Sequence, residues 1–172
     1  MSTKIGAIQT AIIAITGGGR STGAANQLWG WTFSLSRAID VTALGALGTE
    51  GWNGFQDPHD VGIFRMSDQT LVVSASLPWP WNSGIGFFEN GFRYISLTDP
   101  VTLSPGDYEI LMTMPAGTID SQYYSASDVT TAQGITWLHS VFNDGDRLRY
   151  LTEIVGAYEK GMFGRACPEF CV

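Results

Sequence analysis

Turn chemistry cuts this chain into short runs of alternating polarity, and nothing else in it constrains the fold as strongly. Between Gly51 and Tyr108 two alternating runs, HDVGIF from His59 and QTLVVSASL up to Leu77, are split by the turn Met66-Ser67-Asp68-Gln69. A third run, GFRYISL from Gly91, leads through Asp99-Pro100 into Val101-Thr102-Leu103 and the turn Ser104-Pro105-Gly106-Asp107. Upstream, Trp29, Trp31, Phe33 and Leu35 share one parity, while Thr32 and Ser34 take the other. A period of two puts alternate side chains on opposite faces of a strand. Short strands at regular spacing, bounded by Gly, Pro and Asp, predict an all-β chain forming a single antiparallel β-sandwich of jelly-roll or Greek-key type.

The remaining elements follow the same logic. Ile39 to Leu47 reads as a strand, with Gly45 marking a bulge or a close approach of another group. Tyr108 to Met114 is a further strand. Ile135 to Phe142 and Arg147 to Tyr158 read as a closing hairpin across Asn143-Asp144-Gly145-Asp146, because Asp-Gly favours a tight turn. Pro115 to Gly134 lacks a period and reads as irregular. The expected organisation is an N-terminal arm over residues 1–27, the sandwich over 28–158 and a C-terminal tail over 159–172.

The phrases His59 to Phe64, Leu71 to Ser76, Gly91-Phe92-Arg93-Tyr94 and Pro100-Val101-Thr102-Leu103 resemble the DUF4082-type β-sandwich module. That module occurs in exported bacterial proteins, including some with a C-terminal PEP-type sorting signal. Phe33 and Ile39 to Gly45 fit the same pattern, and the likeness spans Leu28 to Met114. It implies a sandwich fold and a surface role, and it brings no catalytic residues with it. The chain's own end, Cys167-Pro168-Glu169-Phe170-Cys171-Val172, differs from the sorted members, which carry an apolar helix followed by basic residues.

Composition bounds the partners. The chain has 172 residues, a length suited to one domain. A chain of this size buries roughly 70% of the surface its unfolded form exposes. Charged residues make up only 15%, and glycine occurs 21 times, which suits a loop-rich β protein. With 9 basic against 16 acidic residues and no basic cluster, nucleic-acid binding is not expected. An anionic membrane surface is disfavoured on the same ground. A surface poor in charge is typical of proteins that sit inside assemblies.

Two terminal segments admit alternatives. Ile8, Thr10, Ile12, Ala14 and Thr16 alternate with Gln9, Ala11, Ile13 and Ile15, ahead of a glycine-rich hinge. β-Branched residues favour an extended strand, and a tethered apolar strand can add to a neighbour's sheet edge. The same segment also reads as a signal peptide interrupted by Gln9 and Thr10, or as a plain first strand of the sandwich. Too short to cross a membrane as a helix, it predicts no membrane span. Cys167 and Cys171 can close a small terminal disulfide, stay reduced or bridge to another chain. They lack the further ligands a zinc site requires.

Candidate chemistry is sparse, and no catalytic residues, metal ligands or cofactor are expected. His59 stands between Asp57 and Asp60, but its place at the start of a strand favours ordering a loop over acting as a base. Asp144-Gly145-Asp146 falls short of a calcium loop's ligand count, so turn formation explains it better. Arg93 alternates away from Phe92 and Tyr94 and is expected in a structural salt bridge. The aromatic loops are the better candidates: Trp52, Phe55, Trp79, Trp81, Phe87 and Phe88 all fall between strands. With Ile8, Ile12, Ile13 and Ile15 of the arm, they form an expected protein interface. Sugar stacking, or folding back under their own loops, are the other uses of such rings.

The expectation is therefore a non-enzymatic structural or assembly protein. It would dock on a larger protein lattice or self-associate as a homo-oligomer, most simply as a virion decoration (cement) or minor capsid-type protein. The alternative is an exported bacterial surface or matrix module, extracellular and able to bind glycans.

Overall fold

Alternation in the tryptophan-rich run carries directly into three dimensions. Trp29, Trp31, Phe33 and Leu35 all point into one core and are buried. The computed structural model describes residues 9–17, 19–22, 26–47, 57–78, 86–89, 91–118, 121–124, 128–152, 155–159 and 168–172. Among these, every regular element is a strand. In chain order they are β1 (Ile12–Thr16), β2 (Gly19–Thr22), β3 (Gln27–Leu35), β4 (Ile39–Leu47), β5 (His59–Arg65), β6 (Thr70–Leu77) and β7 (Phe87–Glu89). Then follow β8 (Phe92–Leu103), β9 (Gly106–Met114), β10 (Ser121–Tyr124), β11 (Asp128–Thr131), β12 (Ile135–Asp144), β13 (Val155–Glu159) and β14 (Pro168–Cys171).

Two antiparallel sheets pack face to face. One has the order β13-β12-β3-β9-β5-β6, and the other β14-β4-β8-β7. The expected all-β sandwich is thus the observed architecture. Its core is aromatic at the centre: the Trp31 ring stacks on Trp137 with centroids 4.5 Å apart and planes 8° from parallel. Phe170 of the second sheet lies against Trp31 and Phe33, at 6.0 and 5.0 Å. Burying such rings is the largest favourable term available to a sandwich of this size.

Local chemistry explains the turns. Met66 to Gln69 joins β5 to β6 as expected, with Gln69 at a φ of 61°. Asp68 holds the turn by accepting from the Thr70 amide at 3.1 Å and pairing with Arg65 at 2.9 Å. At the β8–β9 corner the Tyr108 hydroxyl donates to the Ser104 carbonyl at 2.9 Å. Gly45 answers to a close approach: a Cβ there would lie 2.5 Å from the Tyr94 ring and 2.4 Å from the Arg93 carbonyl oxygen.

Four expectations need correction. The segment from 159 is not simply a tail, because β14 pairs with β4 and places Phe170 in the core. Nor are residues 1–27 a detached arm where they are described. β1 pairs antiparallel with β11 and β2 with β10 of the same chain, so part of the stretch from Pro115 to Gly134 is regular. The amide of Val172 donates to Gln9 O at 2.8 Å and that of Ala11 to Phe170 O at 2.9 Å, joining the two terminal segments to each other. Residues of β8 form one strand rather than two, with Asp99-Pro100 carried in a bulge. A proline has no N–H to give a ladder, so a bulge is where it fits.

The closing hairpin has the expected partners but a different connection. β12 pairs with β13, with Phe142 opposite Val155. Between them, residues 145–152 cross the outer face of the six-stranded sheet instead of turning tightly. Gly145, at a φ of 152°, begins the crossing and donates its amide to Asn26 O at 2.6 Å.

Candidate functional site

The expected interface residues divide into three groups. Ile8, Trp52, Phe55, Trp79 and Trp81 lie outside the described residues. Ile12 is a core residue, 2% exposed, and cannot serve a partner from there. Its strand pairs with β11, which satisfies backbone groups that a donated arm would offer a neighbour. Ile15 is partly buried against both the main core and the cluster of Phe92, Tyr94 and Cys171. Cys171 is buried at the end of β14, while Cys167 lies outside the described residues.

Ile13, Phe87 and Phe88 remain, and they behave differently. Alternation sends Ile13 away from the core, leaving it 47% exposed. Phe87 is half-buried, stacked on Tyr94 with centroids 5.1 Å apart and planes 17° from parallel. Phe88 points to the opposite side of β7 and is 49% exposed. The Arg93 guanidinium lies over its ring, 5.3 Å from the centroid, at the position β8 pairs with Phe88. Arg93 does alternate away from Phe92 and Tyr94, as its place in the strand implies. One of its contacts is this cation over an aromatic face, which shields part of the ring.

β7 is the outermost strand of the four-stranded sheet. An edge strand carrying an exposed ring and an arginine has the chemistry that dominates protein interfaces. In the sequence, β7 is preceded by the aromatic stretch from Pro78 to Gly86, whose Trp79 and Trp81 lie outside the described residues.

Several titratable groups singled out by sequence make contacts within the fold. His59 is buried, and its Nδ1 sits 2.7 Å from the Thr113 carbonyl. Thr113 Oγ1 accepts from the Asp60 amide at 2.8 Å, and Asp60 accepts from Ser76 Oγ at 2.5 Å. These contacts tie the start of β5 to β9 and β6. Asp144 and Asp146 line an open hollow with Asn26 and Gly145. There Asp144 Oδ1 accepts from Gln27 Nε2 at 3.4 Å, and its carbonyl accepts from Arg149 at 2.7 Å. Among the described residues no group of three or more His, Cys, Asp or Glu side chains is placed to hold a metal ion. No described helix is long and apolar enough to cross a membrane.

One group escaped sequence reasoning. Glu109 is fully buried on the outer side of the six-stranded sheet. Its Oε1 accepts from the Leu151 amide at 3.0 Å. Burial pushes its carboxyl up to about 7, partly offset by that hydrogen bond. The same burial, with the nearby Glu109 charge, raises the Tyr150 hydroxyl. Around it Leu28, Phe64, Leu111, Val141 and Leu151 form a second, smaller core, with Leu148 and Tyr150 packed on it. The signal was present in the sequence, as apolar residues at outward positions of several strands.

No protein-family model matches the chain, and no curated protein matches it. The likeness to the DUF4082-type module therefore rests on the phrases alone, which fall on β5, β6 and β8 and the turn before β8.

Proposed function

We propose that this chain is a structural protein that docks on a larger protein lattice, of the virion decoration or minor-capsid kind, through the β7 rim. The observation that carries the reading is Phe88, half exposed on an edge strand and capped by Arg93. A large ring held in that position gains most by burial against a partner. The stretch before β7 in the sequence adds Trp79 and Trp81, a residue type enriched at interfaces. The low charged fraction of 15% fits a surface that is covered in use.

The arm has a reduced part in this proposal. Ile13 remains exposed, but deleting residues 1–20 would remove core residues Ala11 and Ile12 and unfold more than an interface. The test is therefore made with point changes. Phe88→Ser and Arg93→Ser, alone and with Trp79→Ala or Trp81→Ala, should lower the number of copies retained on particles purified from the native source. Self-association measured by sedimentation should weaken with the same changes if the lattice is built from this chain. Unchanged copy number and unchanged sedimentation in every variant, with the fold intact, would sink the idea. The exported-module alternative predicts glycan-array binding that Trp79→Ala or Trp81→Ala abolishes and Phe88→Ser leaves intact.

A further inference from the structure

The outer face of the six-stranded sheet is closed by chain without regular structure. From Gly145, anchored on Asn26 O, residues 145–152 cross past Leu28, cover β5 and reach β9. Leu148 sits over Gly62, where an added Cβ would lie 3.1 Å from its side chain. Tyr150 meets Phe64 with ring centroids 6.3 Å apart. Beneath them lies Glu109, with Oε1 holding the Leu151 amide and Oε2 buried without a hydrogen-bond partner. A neutral carboxyl tolerates that placement far better than a carboxylate, because an ionised oxygen out of water and unpaired is heavily penalised.

We propose that residues 145–152 form a strap latched over the apolar outer face when Glu109 is protonated, and released when Glu109 ionises. Its carboxyl is pushed up to about 7, so the change falls near neutral pH. The surrounding elements supply few competing charges. β3 offers Thr32 at the position paired with Glu109, and no titratable group. β5 offers Phe64 at its paired position, followed by Arg65, which is held by Asp68. β6 has no titratable side chain, and β9 itself adds Asp107 at its exposed start. β12 brings His139, one strand further across and opposite Thr32, and Asp144 at its end. The strap carries Tyr150 and the exposed Asp146, Arg147 and Arg149, the last bonded to the Asp144 carbonyl.

The sign follows from proton linkage. The latched state holds the Glu109 proton more tightly than an opened, hydrated state does. Rising pH therefore favours opening, by at most about tenfold per pH unit, between the ordinary carboxyl range and the raised value. Above that value the effect levels off. Release would bare Leu28, Phe64, Leu111 and Val141 to water.

Amide hydrogen exchange of the whole chain reads this directly. After correction for the intrinsic rise of exchange with pH, the opening constant at the Leu151 amide should climb by up to about tenfold per unit from about pH 5. It should flatten above about 7. The Trp31 amide, inside the sheet, should not follow it. Glu109→Gln keeps the shape and the Leu151 contact but cannot ionise, and its strap should open equally at every pH. A flat profile at Leu151 in the natural chain, the same slope in the Gln variant, or the same slope at Trp31 would each overturn the proposal. Should the Gln variant fail to fold, comparing Leu151 with Trp31 in the natural chain still decides it.

Discussion

On its inner face the six-stranded sheet turns Trp29, Trp31, Phe33, Ile63 and Ile110 toward a second sheet. On its outer face it turns Leu28, Thr32, Phe64, Glu109 and Leu111 toward an irregular strap. Both faces are buried at these positions, but the cover differs in kind. A sheet brings its own hydrogen-bond ladder and a full layer of side chains. A strap brings Leu148, Tyr150 and Leu151, and the hydrogen bonds described between it and the sheet side are those at Asn26, Asp144 and Glu109. The inner face should therefore set global stability, and the outer face should open locally at far lower free energy.

The largest test of that contrast is Trp31→Ala. It removes the ring that stacks on Trp137 and Phe170 and packs tilted against Phe33, and it leaves a cavity between the sheets. The expected loss is about 3–5 kcal/mol by chemical denaturation. Phe170→Ala belongs beside it, also at about 3–5 kcal/mol, although it lies two residues before the last position in the sequence. If Phe170→Ala leaves the denaturation midpoint unchanged, β14 is not part of the core and the second sheet loses an edge.

Phe170 also shows where sequence reasoning runs out. The run from Trp29 to Leu35 offers four apolar residues in strict alternation, enough to fix a face without knowing the partner. β14 has four residues with a proline and a cysteine among them, and a run that short has no period to read. What makes it a strand is pairing with β4, far away in the sequence. Ile12 failed for a related reason: its alternation correctly marked a strand, but periodicity does not say whose sheet a strand joins. Glu109 was legible only in part. Alternation in β9 sends Tyr108, Ile110, Met112 and Met114 one way and Glu109, Leu111 and Thr113 the other. A glutamate at an outward position reads as solvent-facing until Leu111 and Phe64 are recognised as needing cover of their own. The aromatic rim was legible as chemistry at Phe87 and Phe88, while their contrasting environments came only from the pairing of β7 with β8.

A smaller effect sharpens the outer side of the comparison. Because Glu109 holds its proton more tightly in the fold than in the unfolded chain, stability is greatest at low pH for this group. It declines as pH rises toward about 7. The decline is at most about 1.4 kcal/mol per pH unit, and less if the strap lifts first and hydrates the carboxylate. Denaturation midpoints across pH 5–8 in the natural chain and in Glu109→Gln should converge at the acidic end and separate toward neutrality. Parallel curves would mean that Glu109 is not the group responsible.

The smallest effect returns to the inner face and asks what a polar group contributes there. Tyr108 buries its ring against Phe33, at a centroid distance of 5.6 Å, and sends its hydroxyl to the Ser104 carbonyl. Tyr108→Phe keeps the packing and deletes the bond to Ser104 across the corner between β8 and β9, together with the hydroxyl's interaction with the exposed Arg65. The expected loss is about 1 kcal/mol, the net worth of an ordinary hydrogen bond. The Ser104 carbonyl lies at an exposed position and can turn to water, so no buried acceptor is stranded. A loss well above that would mean the corner is held by its hydroxyl more than by its ring. The inner face would then share with the outer one a dependence on polar contacts.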